Sequence, residues 1–324
     1  MTSKVPLAGV SIASIAAKNI ANKRFATGLI LAIVGSIAFS GKAIIVKLAY
    51  RHGVDAVTLI MFRMLFALPF FAVMAWWASR NKPALTGHDW LGVLGLGVTG
   101  YYLASYLDFA GLAYISAALE RLILYLNPTL VLLLGWLLYK KPMRATQLWA
   151  MALSYAGILL VFGHELKFDA GIGGLASSST ILGSVLVFGS AVSYAIYLSY
   201  SGEMVQRLGS LRLVGLATTV ACLLCIAQFA VLRPISSAFT VAPEVIWLSI
   251  LNATLCTALP VLAVMMAIER IGASLTAQTG MIGPMSTILM GVFILGEPLN
   301  AWIIAGTLLV LGGVYMVSRS KNQP

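Results

Sequence analysis

The chain has 324 residues, of which 60% are hydrophobic and only 10% charged, and its mean hydropathy is +0.96. Soluble domains carry roughly a quarter charged residues, so these values exclude a water-soluble fold. A net charge of +11 would suggest a nucleic-acid binder in a soluble protein, but here the cations must first be sorted by side of a bilayer.

Within residues 1–24, the stretch 5–17 after Lys4 is mildly apolar but too short to span, and the basic run Lys18, Lys23 and Arg24 follows it, so 1–24 reads as a retained cytoplasmic or interfacial leader. A transmembrane helix takes about 20 apolar residues. Apolar runs bounded by charges, prolines and turn residues place spans at 25–48, 56–78, 90–112, 117–138 and 145–163. Five more lie at 180–200, 212–232, 244–267, 274–295 and 301–317. Lipid offers no partner to an unpaired backbone group, so the spans are helices and the class is an all-α polytopic membrane protein. The first five spans occupy 25–163, an outer linker 164–179, the second five 180–317, and a cytoplasmic tail 318–324. Cys222, Cys225 and Cys256 fall inside apolar stretches and read as packing residues, so no metal and no cofactor is expected.

With the amino terminus inside, Lys4, Lys18, Lys23, Arg24, Arg80, Lys82, Lys140, Lys141, Arg144, Arg207, Arg212, Arg270, Arg319 and Lys321 are cytoplasmic. Only Arg51, Lys167 and Arg233 fall in outer loops. By the positive-inside rule both termini face the cytoplasm, in a cell's inner membrane. The basic charge is mostly topology, and no nucleic-acid partner is implied.

An internal match recurs at an offset of 156 residues: Pro128 pairs with Pro284 and Pro142 with Pro298, and Ala117, Leu119, Gly135 and Gly157 meet Ala273, Leu275, Gly291 and Gly313. Ten spans therefore divide into two halves of five. An odd number of spans makes the second half enter from the opposite face, so the repeats are inverted, an arrangement that supports alternating access.

Glu269, Arg270, Ile271, Gly272, Ala273 and Ser274, followed by Pro284, by Gly296, Glu297 and Pro298, and by a glycine-rich last span, resemble the repeat of the EamA-type drug/metabolite transporters. Phe62 and Arg63, then Ile115, Ser116, Ala117 and Ala118, and Pro128 resemble it in the first half. The first half departs where Lys140 and Lys141 replace the Gly-Glu pair. The resemblance implies a central cavity walled by spans 1, 3, 4, 6, 8 and 9.

Ionisable groups in lipid are costly unless they face a cavity or a partner. Lys42, Lys47, Arg63, Asp108, Glu120 and Arg121 all fall in the first half. Lys47 lies near a span end and can snorkel. Lys42 and Arg63 lie deeper and read either as substrate contacts or as structural ion pairs. Asp108 and Glu120, with Arg121, form a candidate gate or proton-coupling group, or simply neutralise the cations. The excess of positive charge favours an anionic or zwitterionic solute. Tyr101, Tyr102, Ser105, Tyr106, Tyr125, Asn127, Tyr194, Asn252 and Gln278 are the candidate polar lining near the midplane. Tyr102 and Tyr106 share a helix face by spacing, as do Ser190 and Tyr194. Pro128 and Pro284 are candidate paired hinges.

These features lead to a secondary transporter that exports a small metabolite, an amino acid or related carboxylate, as a monomer or homodimer in the lipid bilayer. The alternatives are an exchanger or importer of a phosphorylated or nucleotide-related metabolite and, from other classes, an intramembrane enzyme or a channel. No phosphate-binding loop is present, so the chain does not itself use ATP.

Overall fold

The structure, a computed structural model, describes residues 12–140, 145–170, 174–272, 275–276, 279–280 and 282–320. Residues 1–11 of the leader, Pro142, Ala273, Ser274 and residues 321–324 of the tail lie outside the described residues. Among those described there is no strand.

Among the described residues, thirteen α-helices follow one another: α1 (Ile12–Tyr50), α2 (Ala56–Ser79), α3 (Gly87–Leu96), α4 (Ala104–Leu112), α5 (Ala117–Leu124), α6 (Asn127–Tyr139), α7 (Ala145–Ala170), α8 (Gly174–Leu208), α9 (Ser210–Leu232), α10 (Pro243–Ala253), α11 (Leu259–Ile271), α12 (Ile282–Met290) and α13 (Ala301–Ser320). π-helical turns at Gly97–Leu103 and Thr254–Ala258 join α3 to α4 and α10 to α11, and a third, Gly291–Leu295, extends α12. Helix α1 begins within the segment read as a leader, and α7 and α8 run into the segment read as a linker. Helical hydrogen bonding continues there past the end of the apolar run, which is all that composition can delimit.

Among the described residues, seven helices are long and apolar enough to cross a membrane: Lys23–Tyr50, Ala56–Ser79, Ala117–Leu138, Ala145–Leu166, Ser178–Leu208, Ser210–Leu232 and Pro243–Ile271. Ile282–Leu295 and Ala301–Met316 are shorter apolar helices. The rod from Gly87 to Leu112 is continuous through its π turn. Large apolar side chains cover the outside, among them Val231 and Phe293, each 82% exposed, and Trp149, 72% exposed. Water would not tolerate such a surface, and lipid requires it.

The helices pack in pairs: α2 along α9, α7 along α13, α1 along α11, α4 along α8, and α5 against α12. Small residues permit the closest approaches. A Cβ on Gly157 of α7 would lie 2.7 Å from the Gly306 carbonyl oxygen of α13, and one on Gly111 of α4 would lie 2.7 Å from that of Gly183 in α8. Each proline in a broken helix stands in the first turn after the break, where its missing N–H costs no hydrogen bond. Pro128 opens α6 after the turn at Tyr125 and Leu126, and Pro260 opens α11 after a π turn. Pro284 stands near the start of α12, just past a turn at Gly280.

Candidate functional site

A cavity of about 430 Å³ lies at the centre of the bundle. Its α1 wall is the face Gly35, Ser36, Phe39, Ser40 and Lys42, and α2 adds Arg63, Met64 and Phe71. The Gly97–Leu103 turn and α4 supply Gly100, Tyr101, Ala104, Ser105 and Asp108, while α5 and α6 supply Arg121, Leu124, Tyr125 and Asn127. From the second half come Ser190, Tyr194, Val214, Thr218, Thr257, Pro260, Val261, Val264, Met265, Gly280 and Gly283.

The two ends of this cavity differ chemically. Lys42 lies towards the end of α1, Arg63 near the start of α2, Asp108 towards the end of α4 and Arg121 near the start of α5, so antiparallel packing gathers all four at one end. Phe71, Val214, Val264 and Met265 line the opposite part, lower on α2, early on α9 and in the last third of the rod Pro243–Ile271. A solute with a charged head and an apolar tail matches this division.

Within the charged end, Lys42 Nζ stands 2.5 Å from Asp108 Oδ2 and 3.9 Å from Glu120 Oε1. Arg121 Nε stands 3.8 Å from Glu120 Oε2, donates to Thr287 Oγ1 at 3.0 Å, and its Nη2 donates to the Ser40 carbonyl at 3.4 Å. Arg63 is arranged differently. Its Nε donates to Thr257 Oγ1 at 3.2 Å and its guanidinium lies 5.1 Å from the Phe109 ring centre, yet among the described residues no carboxylate comes within 4.0 Å of it. Thr257 belongs to a π turn, and its hydroxyl in turn donates to the Asn252 carbonyl at 2.8 Å. The turn thus orients the group that holds Arg63.

Four polar atoms of lining residues are buried with no hydrogen-bond partner: Arg63 Nη1, Asp108 Oδ1, Asn127 Oδ1 and Thr218 Oγ1. Buried polar atoms are ordinarily satisfied, and an unpaired charge is the costliest exception. Arg63 is 5% exposed and Asp108 1%.

Of the residues singled out by sequence, Lys42, Arg63, Tyr101, Ser105, Asp108, Arg121, Tyr125, Asn127 and Tyr194 line this one cavity. Tyr102 and Tyr106 pack instead among the apolar residues around Phe71 and Phe109. Tyr101, Ala104, Ser105 and Asp108 share the face turned to the cavity, and Tyr102 and Tyr106, one position further round, fall on the neighbouring face. Glu120 is fully buried behind the wall, and Asn252 is buried outside it with both amide atoms unpartnered. Gln278 lies outside the described residues. Lys47 belongs to a second recess of about 370 Å³ with Arg51 and Glu297.

Sequence reasoning missed Thr257 and Thr218. Neither carries charge, and only tertiary contact places them beside Arg63 and Tyr101. Glu297 was read only as part of a signature. Its Oε1 accepts the Ala117 N–H at 2.9 Å, so it caps the amino-terminal turn of α5 from the other half of the chain. Tyr125 Oη likewise crosses between halves, donating to the Gly280 carbonyl at 2.8 Å.

The EamA-like transporter family model matches the chain twice, over residues 26–163 and 181–319. The uncharacterized transporter YcbK of Bacillus subtilis is 28% identical over 298 residues, covering 90% of this chain and 91% of that protein. An uncharacterized transporter of Archaeoglobus fulgidus is 23% identical, covering 92% of this chain and 99% of that protein. A crystal structure superposes at a TM-score of 0.57 with 16% identity, over 92% of this chain and 99% of the other, a likeness of fold. These names point to a transporter rather than an enzyme. With its helices long and apolar enough to cross a membrane and two matched segments over most of its length, the chain is a multi-pass membrane protein that belongs to the EamA-like transporter family.

Proposed function

We propose that the chain is a secondary transporter that exports an α-amino acid with an apolar side chain by alternating access. The observation that carries this reading is the pair of unpartnered buried atoms of opposite charge, Arg63 Nη1 and Asp108 Oδ1, at one end of a cavity whose other end is apolar. An α-carboxylate at Arg63 and an α-ammonium at Asp108 satisfy both, and Asn127 Oδ1 is a further acceptor for the ammonium. A volume of about 430 Å³ is ample for a single amino acid.

Alternating access between two inverted five-span halves is supported by three features. The family model matches twice. Exchanging each span for its counterpart in the other half leaves the packing unchanged: α2–α9, α7–α13 and α5–α12 map onto themselves, and α1–α11 and α4–α8 swap. The π turns Gly97–Leu103 and Thr254–Ala258 fall at matching places in the third and eighth spans. In this reading all ten apolar segments cross the inner membrane with both termini cytoplasmic. The cations agree: Arg24 donates to the Glu269 carbonyl, Arg207 pairs with Asp89, and Arg212 bonds Ser79 and the Pro83 carbonyl, all at the end assigned to the cytoplasm.

Thermal denaturation of the purified protein tests the reading. Amino acids with apolar side chains are expected to raise Tm, by about 2.7 kcal/mol of added stability at a hundredfold excess over Kd. The corresponding amides, which lack the carboxylate, and the deaminated acids, which lack the ammonium, are expected to give no shift. Stabilisation by phosphorylated or nucleotide-related metabolites alone contradicts it.

A further inference from the structure

Glu120 is the one ionisable group of the charged cluster that does not line the cavity. It is fully buried against the carboxyl of Asp108, no N–H or hydroxyl donates to either of its oxygens, and its nearest cations stand at 3.8 and 3.9 Å, outside hydrogen-bond reach. A structural carboxylate in lipid is held by short bonds from its partners, as Asp108 is held by Lys42 at 2.5 Å. Nothing holds Glu120 in that way.

Resting on the amino-acid reading above, we propose that the chain is a proton antiporter in which Glu120 carries the proton and Lys42 passes the signal between substrate and proton. Lys42 Nζ lies between two carboxyls, bonded to Asp108 and one short displacement from Glu120 Oε1. With the cavity empty, Lys42 pairs with Asp108 and Glu120 is protonated. The substrate ammonium then binds Asp108 and displaces Lys42 onto Glu120. The O–H bond of Glu120 breaks, and its proton leaves to water on the side to which the cavity is open. When the substrate departs on the other side, Lys42 returns to Asp108 and Glu120 takes a proton from water there. One zwitterion, of zero net charge, moves one way for each proton moved the other.

The surroundings of Glu120 fit this role. Lys42 and Lys47 of α1, Asp108 of α4 and Arg121 on its own helix are the charged groups facing it. Glu165 of α7 and Glu297, after α12, approach the same helix at Ser116 and Ala117. From α8 and α12 the packed residues are Val187, Ala191, Ile288 and Thr287, which are uncharged. Within this set Lys42 is the cation shared by two carboxyls.

Proteoliposomes and a mixture of labelled L-amino acids test the proposal, with the membrane potential clamped. One proton per cycle converts one pH unit into about a tenfold concentration ratio, so a one-unit gradient is expected to drive about tenfold accumulation. Glu120→Gln is expected to lose that accumulation while still exchanging labelled for unlabelled amino acid, at a reduced rate. In lightly buffered detergent the wild type is expected to release about one proton per amino acid bound, a measurement independent of any variant. Exchange without pH-driven accumulation in the wild type overturns proton coupling and leaves the transport reading standing. Accumulation that persists in Glu120→Gln overturns the role of Glu120, as does the absence of proton release. If the wild type exchanges no amino acid at all, the transport reading itself fails and takes this proposal with it.

Discussion

Lys42 Nζ of α1 and Asp108 Oδ2 of α4 stand 2.5 Å apart, both buried, and this ion pair closes one end of the central cavity. Removing one member strands the other. Lys42→Met alone and Asp108→Asn alone are each expected to cost about 3–5 kcal/mol in reversible denaturation. The double variant is expected to recover most of that loss while remaining inactive, since Asp108 is also the proposed ammonium ligand. A double variant as unstable as the singles contradicts a direct pairing.

Tyr125 ties the two halves through its bond to the Gly280 carbonyl. Tyr125→Phe is expected to lower stability by about 0.5–1.5 kcal/mol, the usual net worth of such a bond. Exchange rates report whether that tie is also broken during transport. A faster conformational step in Tyr125→Phe, seen as a higher exchange rate, is the expected sign.

The contact of α7 with α13 depends on absent side chains. Gly157→Ala would place a Cβ 2.7 Å from the Gly306 carbonyl oxygen and 2.9 Å from Leu309 Cβ, and is expected to cost about 1–3 kcal/mol. Gly163 lies on the same helix with nothing within 4 Å of its would-be Cβ. Gly163→Ala is therefore expected to be neutral or to stabilise by up to about 1 kcal/mol. Equal losses in both variants contradict the packing account.

Asp55 precedes α2 and pairs with Arg233 at 2.8 Å. Burial pushes its carboxyl upward, but hydrogen bonds from the Thr58 hydroxyl and Arg233 outweigh it and hold the group below its ordinary value. A depressed carboxyl contributes stability that is present above its unfolded value, about 3.9, and is lost as pH falls through the lower folded one. Asp55→Asn is expected to lower Tm slightly at pH 7, and the gap to wild type is expected to close as pH falls towards 3. A gap that widens on acidification contradicts this.

The charged cluster was legible in the sequence because Lys42, Asp108, Glu120 and Arg121 have no place in lipid without partners. That Arg63 lacks a carboxylate partner was not, since charge counting cannot tell which cation stays unpaired. Lys47 was counted with the cluster, yet it lies beyond it, in the recess with Arg51 and Glu297. Spacing placed Ser190 and Tyr194 on one face, and both line the cavity, because α8 is regular there. Tyr102 and Tyr106 also pack together, but against the apolar cluster of Phe71 and Phe109, because spacing groups residues on a face without saying which face meets the cavity. The cap on α5 was hidden by the 180 residues between Ala117 and Glu297.

The central claim is that a zwitterion spans Arg63 and Asp108, and counterflow measures it most directly. Proteoliposomes loaded with an unlabelled apolar amino acid are expected to take up the labelled form in a saturable way. Arg63→Ala, which removes the carboxylate ligand, is expected to weaken apparent affinity by about 2–5 kcal/mol, equivalent to loss of uptake at the wild-type working concentration. Arg63→Ala protein that is folded and exchanges amino acid as the wild type does would contradict the account.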